Sequence, residues 1–209
     1  MKKPAAYFFD LDGVVLDSEG LYTQFWEETE RMYPTGIPNF ARAIKGTNLH
    51  SILAHFKPED QLKVLERIHN VDSVLDYKLF PGAEDFIRGL KVPAVLVTSS
   101  DKLKLQHLYD LYPEFPGLFA AIIDGDLVHR GKPDPEGYLL ASATIGVDPR
   151  DCIVLEDSLQ GIHAGKAAGC MVWGIATTLP RAAVKPAADL TFDNIAEAAA
   201  YARANGLEG

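Results

Sequence analysis

Five short runs of this chain are apolar at successive positions: 6–9, 94–97, 120–123, 153–155 and 171–175. Contiguous rather than alternating hydrophobicity is the pattern of strands buried on both faces of a parallel sheet. Between the runs, 83–90, 103–111, 136–145 and 158–168 carry helical spacing, and Gly169 stands where a helix stop is expected. Strand and helix in alternation predict an α/β fold with a doubly wound, Rossmann-like parallel sheet.

Residues 19–79 break the rhythm. They hold no comparable strand pattern but show helical spacing over 21–32, 49–56 and 59–75, punctuated by Pro34, Gly36, Pro38 and the Lys57-Pro58 pair. Phe80-Pro81-Gly82 reads as the hinge that returns the chain to the sheet. The division predicted is a core of 1–17 and 81–209 with a helical insert of 18–80. The Ala-rich stretch 196–204 predicts a surface helix.

Composition changes the picture little: 209 residues, 47% hydrophobic and 23% charged, describe an ordinary globular chain. A formal net charge of -9 with no long Lys/Arg run argues against a nucleic-acid partner. A small anion stays open, because a metal and a lysine make a local positive site in an acidic protein. Cys152 and Cys170 are far apart and flanked by apolar residues, which predicts two buried free thiols in a reducing compartment. The apolar run before Asp10 is too short for a signal peptide or a membrane span. A cytoplasmic protein with no membrane partner, monomeric or weakly dimeric, is expected.

Four polar clusters fall at the C-terminal ends of predicted strands or in the loops that follow, the edge that forms the ligand crevice of such sheets. The first is Asp10-Leu11-Asp12-Gly13, with Asp17-Ser18 beyond it. Residues two apart in an extended segment share a side, so Asp10 and Asp12 both face the crevice. Two carboxylates so close suit a metal-held nucleophile beside an acid/base group, and equally fit an ordinary polar turn. A calcium loop is disfavoured because Leu21 occupies the position of its final glutamate.

The second cluster, Thr98-Ser99-Ser100, offers hydroxyl and backbone donors for phosphate oxygens, or a helix N-cap. In the third, Lys132 lies between Gly131 and Pro133, as a stiffly held point charge or a solvated loop lysine. The fourth, Glu156-Asp157-Ser158, places adjacent carboxylates after a buried strand, as ligands for Mg2+ or as a cap for the next helix. Each bland reading is respectable alone; four at one sheet edge argue for a site.

In this order the clusters resemble the four motifs of the haloacid dehalogenase superfamily of Asp-nucleophile phosphotransferases, over essentially the whole chain. The resemblance implies Asp10 as nucleophile and metal ligand, and Asp12 as acid/base and, through its carbonyl, a further ligand to Mg2+. It implies Thr98 and Ser99 as phosphoryl binders, Lys132 as charge-balancing cation, and Asp157, with Glu156, at the metal. The insert is similar to the small helical cap of β-phosphoglucomutase-like and phosphoglycolate-phosphatase-like members. Cap contacts to a small phosphorylated metabolite are expected from Tyr22, Lys45, Gly46, Thr47 and Asn48. Trp26 is a further candidate, with core packing as the stronger expectation.

The implied activity is Mg2+-dependent phosphate monoester hydrolysis through an aspartyl phosphate. Asp at position 12, in place of Ser or Thr, favours a phosphatase or mutase over a dehalogenase or an ion-pumping ATPase. A hexose-phosphate mutase is the enzyme alternative, weakened because Leu49 stands where the mutase cap loop carries Arg and Tyr22 stands where the first cap helix carries His. A non-catalytic metabolite-binding regulator is the other.

Overall fold

The computed structural model describes residues 2–209. Six parallel strands form one sheet: β1 (Ala6–Phe9), β2 (Ala94–Val97), β3 (Ala121–Ile123), β4 (Cys152–Glu156), β5 (Met171–Ile175) and β6 (Leu190–Phe192). Their order is β3-β2-β1-β4-β5-β6. The chain therefore winds outward from β1 on one side and from β4 on the other, so the direction of winding switches between these two strands. Such a switch point opens a crevice beyond the strand C-termini.

The contiguous apolar runs are explained by the two faces of the sheet. Tyr7 and Phe9 of β1, with Leu96 and Leu155, belong to one buried cluster; Phe8, Val95 and Val154 belong to another. Successive residues of a strand point to opposite faces, so with both faces covered every position is apolar. Helices α5 (Ala83–Gly89), α6 (Lys102–Leu111) and α10 (Ile195–Ala204) contribute to the first cluster. Helices α7 (Glu136–Ile145), α8 (Leu159–Ala167) and α9 (Arg181–Val184) contribute to the second. The fold class expected from the sequence is present.

Two corrections concern the C-terminal part. Strand β6 was not predicted, being only three residues long, with polar Thr191 at its centre and only Phe192 buried. The Ala-rich helix α10 is not merely a surface helix: Ile195, Ala198 and Ala202 are buried in the first cluster, where small side chains allow close approach to the sheet.

Between β1 and α5 lie α1 (Glu19–Met32), α2 (Phe40–Ala43), α3 (Leu49–Leu53) and α4 (Pro58–Asp72). They enclose a separate apolar cluster of Phe25, Trp26, Phe40, Ile52, Phe56 and neighbours. Trp26 makes an edge contact with Phe25, ring centroids 4.8 Å apart. Among the described residues, no helix is long and apolar enough to cross a membrane.

Candidate active site

Asp10 directly follows β1, and its N–H continues the ladder by donating to the Leu155 carbonyl of β4 at 3.0 Å. The chain then closes a tight turn, Gly13 N–H donating to Leu16 C=O at 2.8 Å. Gly13 has φ +75°, and a Cβ there would collide with the Asp157 carboxylate, so glycine is required for two reasons at once. The turn brings Asp10, Asp12 and Asp157 to one crevice.

Lys132 is not a solvated loop lysine. Its ammonium lies 2.7 Å from Asp10 Oδ1, 2.5 Å from Glu156 Oε1 and 3.2 Å from the Val97 carbonyl. Glu156 is fully buried and also accepts from Tyr138 Oη at 2.7 Å and Ser158 Oγ at 3.1 Å. Burial, and next the Glu156 charge, push the Asp10 carboxyl above the usual aspartate range, with Lys132 opposing. For Lys132 burial acts downward, but Asp10 and Glu156 overcome it and hold the ammonium charged.

Carboxylate oxygens of Asp10, Glu156 and Asp157 lie within 4.8 Å of one another, all three residues buried. This cluster could hold a metal ion. An all-oxygen donor set with surplus negative charge is the chemistry that Mg2+ prefers. Glu156 is also tied to Lys132, Tyr138 and Ser158, so it helps to fix the ammonium as well as adding charge.

Asp12 is held differently. Lys104 Nζ lies 2.6 Å from each of its carboxylate oxygens, Ser100 Oγ donates to Oδ2 at 2.9 Å, and Ser18 Oγ donates to Oδ1. Burial alone would push this carboxyl up. Lys104 and the two hydroxyls more than offset that and leave it below the ordinary aspartate range. The two aspartates thus have opposite environments two residues apart.

Thr98 is buried at the end of β2, and its Oγ1 accepts from Ser100 N–H at 3.0 Å. Neither Thr98 nor its neighbours cap the next helix: Asp101 caps α6, accepting from Lys104 N–H at 2.9 Å. Likewise Ser158, not Glu156 or Asp157, caps α8. The Thr98, Ser99 and Ser100 hydroxyls and the Glu156 and Asp157 carboxylates are thereby released from the capping role that was their bland alternative.

The helical insert covers the crevice. Ser99 Oγ donates to the Gly46 carbonyl at 2.8 Å, and Gln160 Nε2 to the Ala43 carbonyl at 3.2 Å. Gly46 has φ +78°, and a Cβ there would strike the Ser158 side chain. Tyr22, Lys45, Gly46 and Thr47 all line the crevice, as do Trp26 and Leu49. Asn48 differs from expectation: its side chain caps α3 by accepting from Ser51 N–H at 2.9 Å and packs beside Gly131, outside the crevice lining.

Three residues escaped the sequence reading: Lys104, Tyr138 and Asp72. Lys104 is in register with the buried Leu108 of α6, and Asp72 with the buried Val64 and Ile68 of α4. A charged residue on the apolar stripe of a helix was the signal available.

Residues 4–169 match the haloacid dehalogenase-like hydrolase family. The chain belongs to it. A phosphorylated carbohydrates phosphatase of Thermotoga maritima is 30% identical, the match covering 83% of this chain and 86% of that one. A bifunctional riboflavin kinase/FMN phosphatase of Arabidopsis thaliana is 27% identical over 86% of this chain, which spans only half the length of that relative. The structure of a β-phosphoglucomutase-like protein of Bacteroides vulgatus superposes with a TM-score of 0.83 at 23% identity, covering 99% of this chain and 90% of that one, and the likeness is one of fold.

Proposed function

We infer that this haloacid dehalogenase-like hydrolase is a phosphatase that hydrolyses the phosphate monoester of a small metabolite in the presence of Mg2+. The observation that carries the reading is Asp10: a buried carboxylate at the sheet switch point, touched by Lys132 and clustered with two further carboxylates. The phosphatase activity named for the Thermotoga relative supports it.

Asp10, Glu156 and Asp157 would hold the ion, with the Asp12 carbonyl as a further oxygen donor. Mg2+ would supply charge neutralisation for the entering phosphoryl group and its crowded carboxylates. Asp10 attacks phosphorus in line, forming an aspartyl phosphate as the ester oxygen leaves. Lys132 keeps Asp10 oriented and offsets charge on the transferred group. Thr98 and Ser99 bind phosphoryl oxygens.

Asp12 lies in the same crevice. In the geometry present it is a carboxylate, the form that takes a proton from the water hydrolysing the aspartyl phosphate. Donating a proton to the leaving oxygen in the first half-reaction requires its contact with Lys104 to loosen. The insert of 18–80 acts as a cap that excludes bulk water while the leaving group is enclosed.

A mutase is disfavoured, because no arginine is among the described residues lining the crevice to hold a second phosphate, and Leu49 lies on that wall. The test is phosphate release from a broad panel of phosphate monoesters with and without Mg2+. Release that needs the metal supports the reading; no release from any ester overturns it. Isomerised sugar phosphate in place of free phosphate would favour the mutase.

A further inference from the structure

The crevice is lined both by the reacting carboxylates and by residues of the insert. Its lining in the insert includes the apolar side chains of Trp26, Ile44, Leu49, Ile52 and Ile68 together with the carboxylate of Asp72. Asp72 is only 5% exposed. The two hydroxyls that reach it, from Tyr22 and from Tyr77 at 3.1 Å, meet the same oxygen, Oδ1, and lie 2.7 Å from each other, so their two protons are shared among three contacts. Among the described residues no donor reaches Oδ2. The nearest cation, Lys104, is committed to both oxygens of Asp12 and forms no ion pair with Asp72 within 4.0 Å.

An ionised carboxylate has roughly four acceptor positions, and a buried one is costly when some stay empty. Burial indeed pushes the Asp72 carboxyl up, more than Lys104 and the two tyrosines pull it down. The side chain is held by two tyrosines so that one oxygen is kept for a donor arriving through the crevice. Charge restricts that donor. Asp101 lines the same crevice, one oxygen accepting from the Lys104 N–H and the other facing His69, so a second anionic group on the substrate would meet the carboxylates of both Asp72 and Asp101. An ammonium there would crowd Lys104, whose charge already stands 4.2 Å from the Tyr22 ring.

We propose that Asp72 is the specificity-determining residue of this crevice: it accepts a hydrogen bond from a hydroxyl of the leaving alcohol and selects phosphate esters of neutral, hydroxylated compounds over esters with a second acidic group. The apolar walls cover the carbon skeleton, and Asp72 reads a hydroxyl carried on it. This inference rests on the phosphatase reading above.

The test compares kcat/KM for glycerol phosphate, n-propyl phosphate, 3-phosphoglycerate and phosphoethanolamine, with p-nitrophenyl phosphate as a check on the reacting centre. The wild-type protein is expected to favour glycerol phosphate over n-propyl phosphate by about 10- to 100-fold, the range for one hydrogen bond to a charged group. Asp72→Leu should reduce that preference to about 2-fold or less and relax the discrimination against 3-phosphoglycerate. Asp72→Asn, which keeps size but offers an uncharged amide to the hydroxyl, should show a preference between those of wild type and Asp72→Leu. Both variants should hydrolyse p-nitrophenyl phosphate within about 3-fold of wild type.

The proposal is overturned if both variants keep the wild-type preference, or if the wild type shows none or prefers the acid or the amine. It is also overturned if both variants lose p-nitrophenyl phosphate turnover, which would make Asp72 structural. Absence of phosphate release from every ester by the wild type would instead overturn the phosphatase reading; release without dependence on Asp72 overturns this inference alone.

Discussion

Replacing Lys132 with Met tests how the buried charges are balanced. The ammonium bridges Asp10 and Glu156, whose side chains are 8% and 0% exposed, and is itself 7% exposed. Removing one partner of a buried ion pair leaves uncompensated charge and costs about 3–5 kcal/mol. For a chain of this size each kcal/mol moves the melting temperature by about 2–4 °C, so Lys132→Met should melt about 6–20 °C lower at neutral pH. The pair holds the Lys132 pKa above its ordinary value. Its contribution is therefore complete at neutral pH and lost only as pH rises beyond the lysine range.

In the variant, Asp10 and Glu156 are stranded carboxyls. Acid neutralises Asp10, whose carboxyl burial pushes upward, and the gap to wild type should narrow from pH 7.5 to pH 5. Thermal melts followed by circular dichroism in chelator-treated buffer measure both effects. A variant melting within about 2 °C of wild type at pH 7.5, or a gap that widens in acid, would refute the reasoning.

Lys104→Met removes the cation that keeps Asp12 low, so burial should carry the Asp12 carboxyl upward and move the acidic limb of the kcat/KM profile to higher pH; an unmoved limb would contradict the pairing. In wild type the same low Asp12 pKa contributes stability above the ordinary aspartate value and loses it as pH falls through the lower folded value. Gly46→Ala forces a side chain into left-handed backbone, costing about 1–2 kcal/mol, and drives it against Ser158; a raised KM and a melting point lower by about 2–8 °C are expected, and unchanged values would show that the cap docks differently. Burial pushes the Cys152 and Cys170 thiols up to about 12, so iodoacetamide at pH 8 should label neither until denaturant is added; rapid labelling of the native protein would contradict their placement.

The sheet was readable because burial on both faces leaves contiguous apolar runs, and five of the six strands carry one. Leu190–Phe192 carries none: it is an edge strand with polar Thr191 in its middle. Asp10, Asp12, Lys132 and Asp157 were readable because each lies at a strand end or in the loop beyond, where a polar residue departs from an apolar pattern. Lys104 and Asp72 were not read. A helix shows its face only through periodicity, and one charged residue on that stripe looks like an imperfection until its partners arrive from elsewhere in the chain. Lys104 meets Asp12, which is 92 residues away in sequence, and Asp72 meets Tyr22, which is 50 away. Asn48 was misplaced for a related reason: a polar residue before a helix serves the helix first, and its side chain was already used as a cap.

The central claim is that Asp10 is the nucleophile of a phosphoryl transfer. Phosphate release by wild type and by Asp10→Asn, on the best ester from the panel and with Mg2+ present, tests it most directly. Steady release by the wild type is expected, with a loss of about a thousandfold or more in kcat for the variant and circular dichroism unchanged. Release by Asp10→Asn at a rate close to wild type would contradict it.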